Sequence, residues 1–143
     1  MKKFLIIFLL TFVGVCSFAN ERVKVSLARV YDGDTIEILN ENNQKEIIRF
    51  LGIDCYESKP NQRSYRQAYE NNIEISEVVA EGTKSTLALV KLFKDNPTKN
   101  LYLVRYGKDN YNRTLGILFL GKMNINNYML KSGNALKYTH IKY

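Results

Sequence analysis

The sequence predicts a small mainly β domain with helices, of the α+β class, and three observations carry that prediction. Apolar and polar residues alternate through much of 23–51 and 101–120, the period of half-buried strands. One stretch, 81–94, changes to helical spacing instead. The chain has 143 residues, 45% hydrophobic, with seven Phe and ten Tyr, which is one-domain length with material for a core. At 24% charged and without repeats or low-complexity tracts, it is neither disordered, collagen-like nor a coiled coil.

Val23, Val25 and Leu27, then Ile36 and Ile38, read as two strands around the turn Asp32-Gly33-Asp34. Asn40-Glu41-Asn42-Asn43 makes a second turn, and Glu46-Ile47-Ile48-Arg49-Phe50-Leu51 a third strand ending at Gly52. Residues 58–72 are polar, hold Pro60 and carry Lys59, Arg63 and Arg66, so a long exposed loop with at most a helical turn is expected there, placed to touch substrate. The main helix follows at 81–94, with Thr83, Leu87, Val90 and Lys94 at helical spacing and Ala88, Leu89 and Phe93 widening the apolar face. Residues 101–105 and 114–120 are two more strands, joined by a polar turn at 107–112. A second short helix at 124–132 is closed by Gly133. Five strands with a helix between the third and fourth is the element order of a five-stranded OB-type barrel with two or more helices, a fold that binds nucleic acids and sugars on one face. Other small α+β domains share that order.

Met1-Lys2-Lys3, an apolar run from Phe4 to Ala19 and a polar switch at Asn20-Glu21-Arg22 have the three-part layout of a secretory signal peptide. The expected organisation is therefore a signal peptide over 1–19 and one domain over 20–143, exported to the periplasm or the medium. The run is short for a membrane span, so no stable membrane insertion is expected after cleavage. A lipoprotein anchor through Cys16 is disfavoured by Val15, which stands where a small residue is needed. Cleavage removes Cys16, leaving Cys55 without a disulfide partner and expected to be a buried small hydrophobe. The formal charge of +7 loses only Lys2 and Lys3 with the leader, and a basic surplus favours an anionic partner.

The single histidine, His140, excludes two-histidine ribonuclease chemistry and histidine-rich zinc sites, and its place near the terminus suggests a solvent-exposed residue. Hydrolysis in this chain must use carboxylates, arginines or a metal. Asp32, Asp34 and Asp54 lie at strand ends, where a barrel would bring their carboxylates together as ligands for a hard cation. Asp-Gly is also one of the commonest plain turn signals. Glu57 stands three residues after Asp54, with Arg49 five residues before it and Arg113 in the later turn. A cation, a water-handling carboxylate and arginines for the phosphate oxygens are what phosphodiester hydrolysis requires. Arginine suits that last task because its planar fork offers two donors to one phosphate. Taken singly, Arg49 and Arg113 also read as strand residues in ordinary salt bridges. Asn112-Arg113-Thr114 fits a glycosylation sequon, read as coincidence because it overlaps the phosphate arginine.

Three segments resemble, in order, the signatures of the thermonuclease family, the staphylococcal nuclease-like domains. They are Val30-Tyr31-Asp32-Gly33-Asp34-Thr35, then Ile48-Arg49-Phe50-Leu51-Gly52-Ile53-Asp54-Cys55-Tyr56-Glu57, then Asp109-Asn110-Tyr111-Asn112-Arg113-Thr114-Leu115. Asn126 and Gly133-Asn134-Ala135 extend the likeness to the last helix. The resemblance implies an OB-type barrel and a calcium-dependent hydrolase of DNA and RNA phosphodiesters that leaves a 3′-phosphate and a 5′-hydroxyl. It implies Asp34, Asp54 and the Cys55 carbonyl as Ca2+ ligands, Glu57 as general base or water-orienting group, and Arg49 and Arg113 on the scissile phosphate. Asp32 becomes a turn residue near the ion, and Tyr111 lies in the substrate cleft. Apart from the resemblance, the charges and position of the long loop make Lys59, Arg63 and Arg66 expected electrostatic contacts to substrate.

Two departures stand out. Cys55-Tyr56 replaces the usual Thr-Pro, so the loop aiming Glu57 lacks its proline, and Asn112 replaces a Gly, which Asn tolerates because it enters the left-handed region more readily than other residues. The chain also stops at Tyr143, without the family's final helix, which bears on stability. Expectation settles on a monomeric nuclease of little sequence preference. Its rivals are a catalytically silent OB-type nucleic-acid-binding module and a calcium-stabilised envelope protein.

Overall fold

The structure, a computed structural model, describes residues 21–139, so the signal-peptide reading and His140 lie outside the described residues. Alternation builds the strands as expected. β1 (Val23–Asp32) turns at Gly33 into β2 (Thr35–Leu39), whose Ile36 and Ile38 are fully buried, and β3 (Lys45–Phe50) buries Ile48 and Phe50. β4 (Ile53–Asp54) is a two-residue strand; β5 (Leu101–Lys108) and β6 (Thr114–Leu120) form a hairpin, and β7 (Met123–Asn124) folds back on β6. β8 (Leu136–Lys137) pairs with β4.

Five of these strands close into a barrel. β1 pairs antiparallel with both β2 and β5, β2 with β3 and β5 with β6, and the ring is shut by a parallel pairing of β3 with β6. β1 serves two partners by bending: Val23–Val25 face β5 while Ser26–Asp32 face β2, with irregular register at Leu27/Arg29 and Val30/Asp32. The interior is filled by Val25, Ile36, Ile38, Ile48, Phe50, Leu101, Leu103, Leu118 and Leu120. This is the OB-type architecture.

The helices differ from the expectation. Two helices, not one, separate the third and fourth barrel strands: α1 (Gln62–Asn71) and α2 (Ile75–Lys94). The segment expected to be a loop is thus mostly helical, because Asn61 caps it well. Its side chain accepts from Ser64 N at 2.8 Å while Ser64 Oγ accepts from Asn61 N at 2.7 Å, and Asn72 ends the helix in the left-handed region. α1 buries only Ser64 and Gln67, so no apolar stripe announces it. α2 begins six residues earlier than expected and is turned about its axis, burying Val78, Gly82, Ser85, Leu89 and Leu92. Thr83, Leu87 and Lys94 of the expected face point to solvent. α3 (Ile125–Lys131), capped by Asn124, closes the far side with Ile125 and Met129. No helix among the described residues is long and apolar enough to cross a membrane.

Arg105 of β5 clamps the β2–β3 turn and the start of β3, pairing with Glu41 at 2.9 Å and Glu46 at 2.8 Å, while Thr114 Oγ1 donates to Glu46 at 2.7 Å. The hydrogen bonds from Arg105 hold Glu46 below its ordinary value of 4.5, with burial opposing and Thr114 adding. A carboxyl depressed on folding stabilises above its unfolded pKa and loses that contribution as pH falls through the folded one. Glu46→Gln is therefore expected to cost about 1 kcal/mol at neutral pH. In urea melts from pH 7 to 3, the gap between parent and variant should close below pH 4.5.

Candidate active site

Pairing places Arg49 of β3 between Thr35 of β2 and Leu115 of β6. Its side chain is 4% exposed. A guanidinium so buried must be compensated, and it is: Nη1 pairs with Asp34 Oδ2 at 3.0 Å and donates to the Ile53 carbonyl at 3.0 Å, and Nη2 pairs with Asp54 Oδ1 at 2.5 Å. Nε meets no acceptor among the described residues, leaving a donor in reserve. Asp34 is reached through the turn after β1, where Asp32 Oδ1 accepts from Asp34 N at 3.0 Å. Its own oxygens accept from Thr35 Oγ1 at 3.0 Å and from Cys55 N at 2.6 Å. Burial pushes the Asp34 carboxyl up to about 7; Arg49 opposes this, and Asp32 and Asp54 add to it.

Glu57 is held by α1. Gln67, buried, donates from Nε2 to the Cys55 carbonyl at 3.1 Å and accepts from Glu57 N at 3.0 Å, so one amide spans the loop. Asn61 Nδ2 donates to Glu57 Oε2 at 2.9 Å, and Arg63 Nε pairs with Glu57 Oε1 at 3.1 Å. Behind the loop lies α2, where a Cβ on Gly82 would come within 2.4 Å of the Glu57 carbonyl. Gly33 is as tightly enclosed, since a Cβ there would meet Ser85 Cβ at 2.7 Å and Cys55 Sγ at 2.8 Å. The Cys55 thiol donates to the Asn134 carbonyl at 3.2 Å, and burial pushes it further from ionisation, which agrees with the structural reading of that cysteine. β8 pairs Leu136 with Asp54, so the segment after α3 supports the site directly.

The structure therefore brings together Asp34, Arg49, Asp54, Cys55 and Glu57. It corrects the placement of Arg63 in a loop: this residue sits in the first turn of α1, half exposed, and pairs with both Asp54 and Glu57. Lys59 and Arg66 are exposed. Arg113 immediately precedes β6, two residues before Leu115, the partner of Arg49 in β3, so the two arginines sit near the same end of a pair of neighbouring strands. Its guanidinium is 2.8 Å from Asp109 and lies 5.4 Å from the ring centre of Tyr111, itself 82% exposed. Asn112 has φ 62°, the left-handed turn conformation that its side chain tolerates. Asn61, Gln67 and Gly82 were missed by sequence reading. Only Asn61, followed three residues later by Ser64, carried a local signal, that of a cap.

Four carboxyl groups, Asp32, Asp34, Asp54 and Glu57, surround two guanidiniums, Arg49 and Arg63, so carboxyls outnumber guanidiniums by two. That excess of oxygen donors fits a hard divalent cation. Asp34, Asp54 and the Cys55 carbonyl are the oxygens that could hold it. Among the described residues no group of three or more Asp, Glu, Cys or His side chains is placed to hold a metal ion, so the Cys55 carbonyl would have to supply part of the coordination.

The fold and site thus define a small OB-type barrel domain with an arginine–carboxylate cluster at one end. The sequence model described as staphylococcal nuclease homologue matches residues 47–143, and the chain belongs to that family, whose nuclease character makes nucleic acid the implied substrate class. Arg49, Asp54, Cys55, Glu57 and Arg113 fall within the match, whereas Asp32 and Asp34 precede it. No curated protein matches the chain.

Gly82→Ala forces a methyl group against backbone that has no flexible way out. It is expected to cost about 1–3 kcal/mol in denaturant unfolding. A cost within about 0.3 kcal/mol would show that α2 does not fix the Glu57 loop.

Proposed function

We propose that the protein is a calcium-dependent nuclease that hydrolyses DNA and RNA phosphodiester bonds with little sequence preference and leaves 3′-phosphate ends. The leader over 1–19 supports export to the periplasm or the medium. The observation that carries the proposal is the shared charge cluster, with Arg49 between Asp34 and Asp54 and Glu57 held beside them. Calcium, held by Asp34, Asp54 and the Cys55 carbonyl, would supply positive charge against the phosphate. Glu57 accepts a proton from water as the water oxygen bonds to phosphorus. The bond from phosphorus to the 5′ oxygen breaks, and that oxygen leaves as a hydroxyl after taking a proton from solvent. Arg49, through its reserve Nε donor, and Arg113 hold the nonbridging oxygens as charge builds on them. Tyr111 is exposed enough to stack on a base, and Lys59 and Arg66 contact the backbone without reading sequence.

Digestion of single-stranded DNA, duplex DNA and RNA, with calcium and then with chelator, tests the reading. Cleavage is expected only with calcium, with ends that block extension until a phosphatase removes the 3′-phosphate. Glu57→Gln should lower turnover by roughly a hundredfold or more while a gel shift still shows binding. Binding without cleavage by the parent would favour the silent module, and calcium-induced stabilisation with neither would favour the envelope protein.

A further inference from the structure

The two guanidiniums in the cluster are held differently. Arg49 is walled in by Asp34, the Ile53 carbonyl and the barrel. Arg63 reaches in from the solvent side of α1 and stays 48% exposed, with Nη2 on Asp54 Oδ1 and Nε on Glu57 Oε1. That Asp54 oxygen already receives Nη2 of Arg49. One carboxylate oxygen thus carries two guanidiniums, and only Arg63 can leave without disturbing the barrel. Its departure also leaves α1 intact, because the reciprocal bonds of Asn61 with Ser64 hold the helix start and Gln67 holds the loop.

A divalent cation and Arg63 both want Asp54 and repel each other. We propose that Arg63 is a displaceable counter-ion: without the cation it neutralises Asp54 and Glu57, and the cation must compete with it for Asp54. Arg63 therefore sets the calcium concentration at which the site loads, and its release frees the Glu57 carboxylate from that ion pair. The inference rests on the calcium reading above and adds a residue that tunes it.

Titration calorimetry of calcium into the purified protein and its Arg63 variants tests this without reference to cleavage. Arg63→Gln should bind calcium roughly tenfold more tightly than the parent, having no partly exposed ion pair to break. Arg63→Lys should fall between them, since lysine keeps the charge but loses the fork that spans two carboxylates. In chelator, Arg63→Gln should melt below the parent, and saturating calcium should close that gap. Equal or weaker calcium binding by folded Arg63→Gln, with the parent still binding, overturns the inference and leaves the calcium reading standing. Absence of calcium binding by the parent overturns both. Circular dichroism reports folding, and if Arg63→Gln does not fold, Arg63→Lys decides alone: tighter binding supports competition, and equal binding overturns it.

Discussion

One buried guanidinium organises the functional end of this barrel. Moving a charge out of water costs several kcal/mol unless its partners are well placed, so Arg49 at 4% exposure demands Asp34, Asp54 and the Ile53 carbonyl at once. Those partners come from the turn before β2 and from β4, so closing the barrel and assembling the cluster are one event. The demand extends further. Asp34 accepts from Cys55 N and so fixes the start of the loop that carries Glu57, and β4 is held in turn by β8 at the other end of the described chain. A site of this kind is spread over most of the sequence yet mechanically continuous.

The loop from Cys55 to Glu57 shows how a missing constraint is replaced. A proline would stiffen it by restricting the unfolded chain. Tyr56 does not, and the stiffness comes from outside: Gln67 bridges the loop backbone, Asn61 reaches the Glu57 carboxylate, and Gly82 lets α2 press against the Glu57 carbonyl. The helix that carries Asn61 and Gln67 is polar because its task is to bond backbone and carboxylates, and apolar side chains could not do that.

That division of labour explains what could be read in advance. Strands were legible because Ile36, Ile38, Ile48 and Phe50 sit in a two-sided environment that imposes a period of two. Arg49, Asp54 and Glu57 were legible because they lie within nine residues of one another and their charges have few uses together. α1 was illegible from periodicity, since a helix burying only Ser64 and Gln67 has no apolar stripe to count. The buried face of α2 was misjudged for a related reason: Gly82 and Ser85 are small where the main chain comes close, so the contact face is less hydrophobic than the exposed Leu87 beside it. Arg63 looked like a loop charge because its partners, nine and six residues back, are brought to it only by the turn at Pro60-Asn61.

The dependence of the site on Arg49 is tested most directly by a double-mutant cycle on unfolding free energy with Arg49→Met and Asp34→Asn. Arg49→Met alone leaves buried Asp34 without its counter-ion, while Asp54 keeps Arg63, and is predicted to cost about 3–5 kcal/mol. Adding Asp34→Asn removes that stranded charge, so the double variant should be more stable than Arg49→Met alone, with a coupling above about 1 kcal/mol. Effects that simply add, within about 0.5 kcal/mol, would contradict a barrel end built around this ion pair.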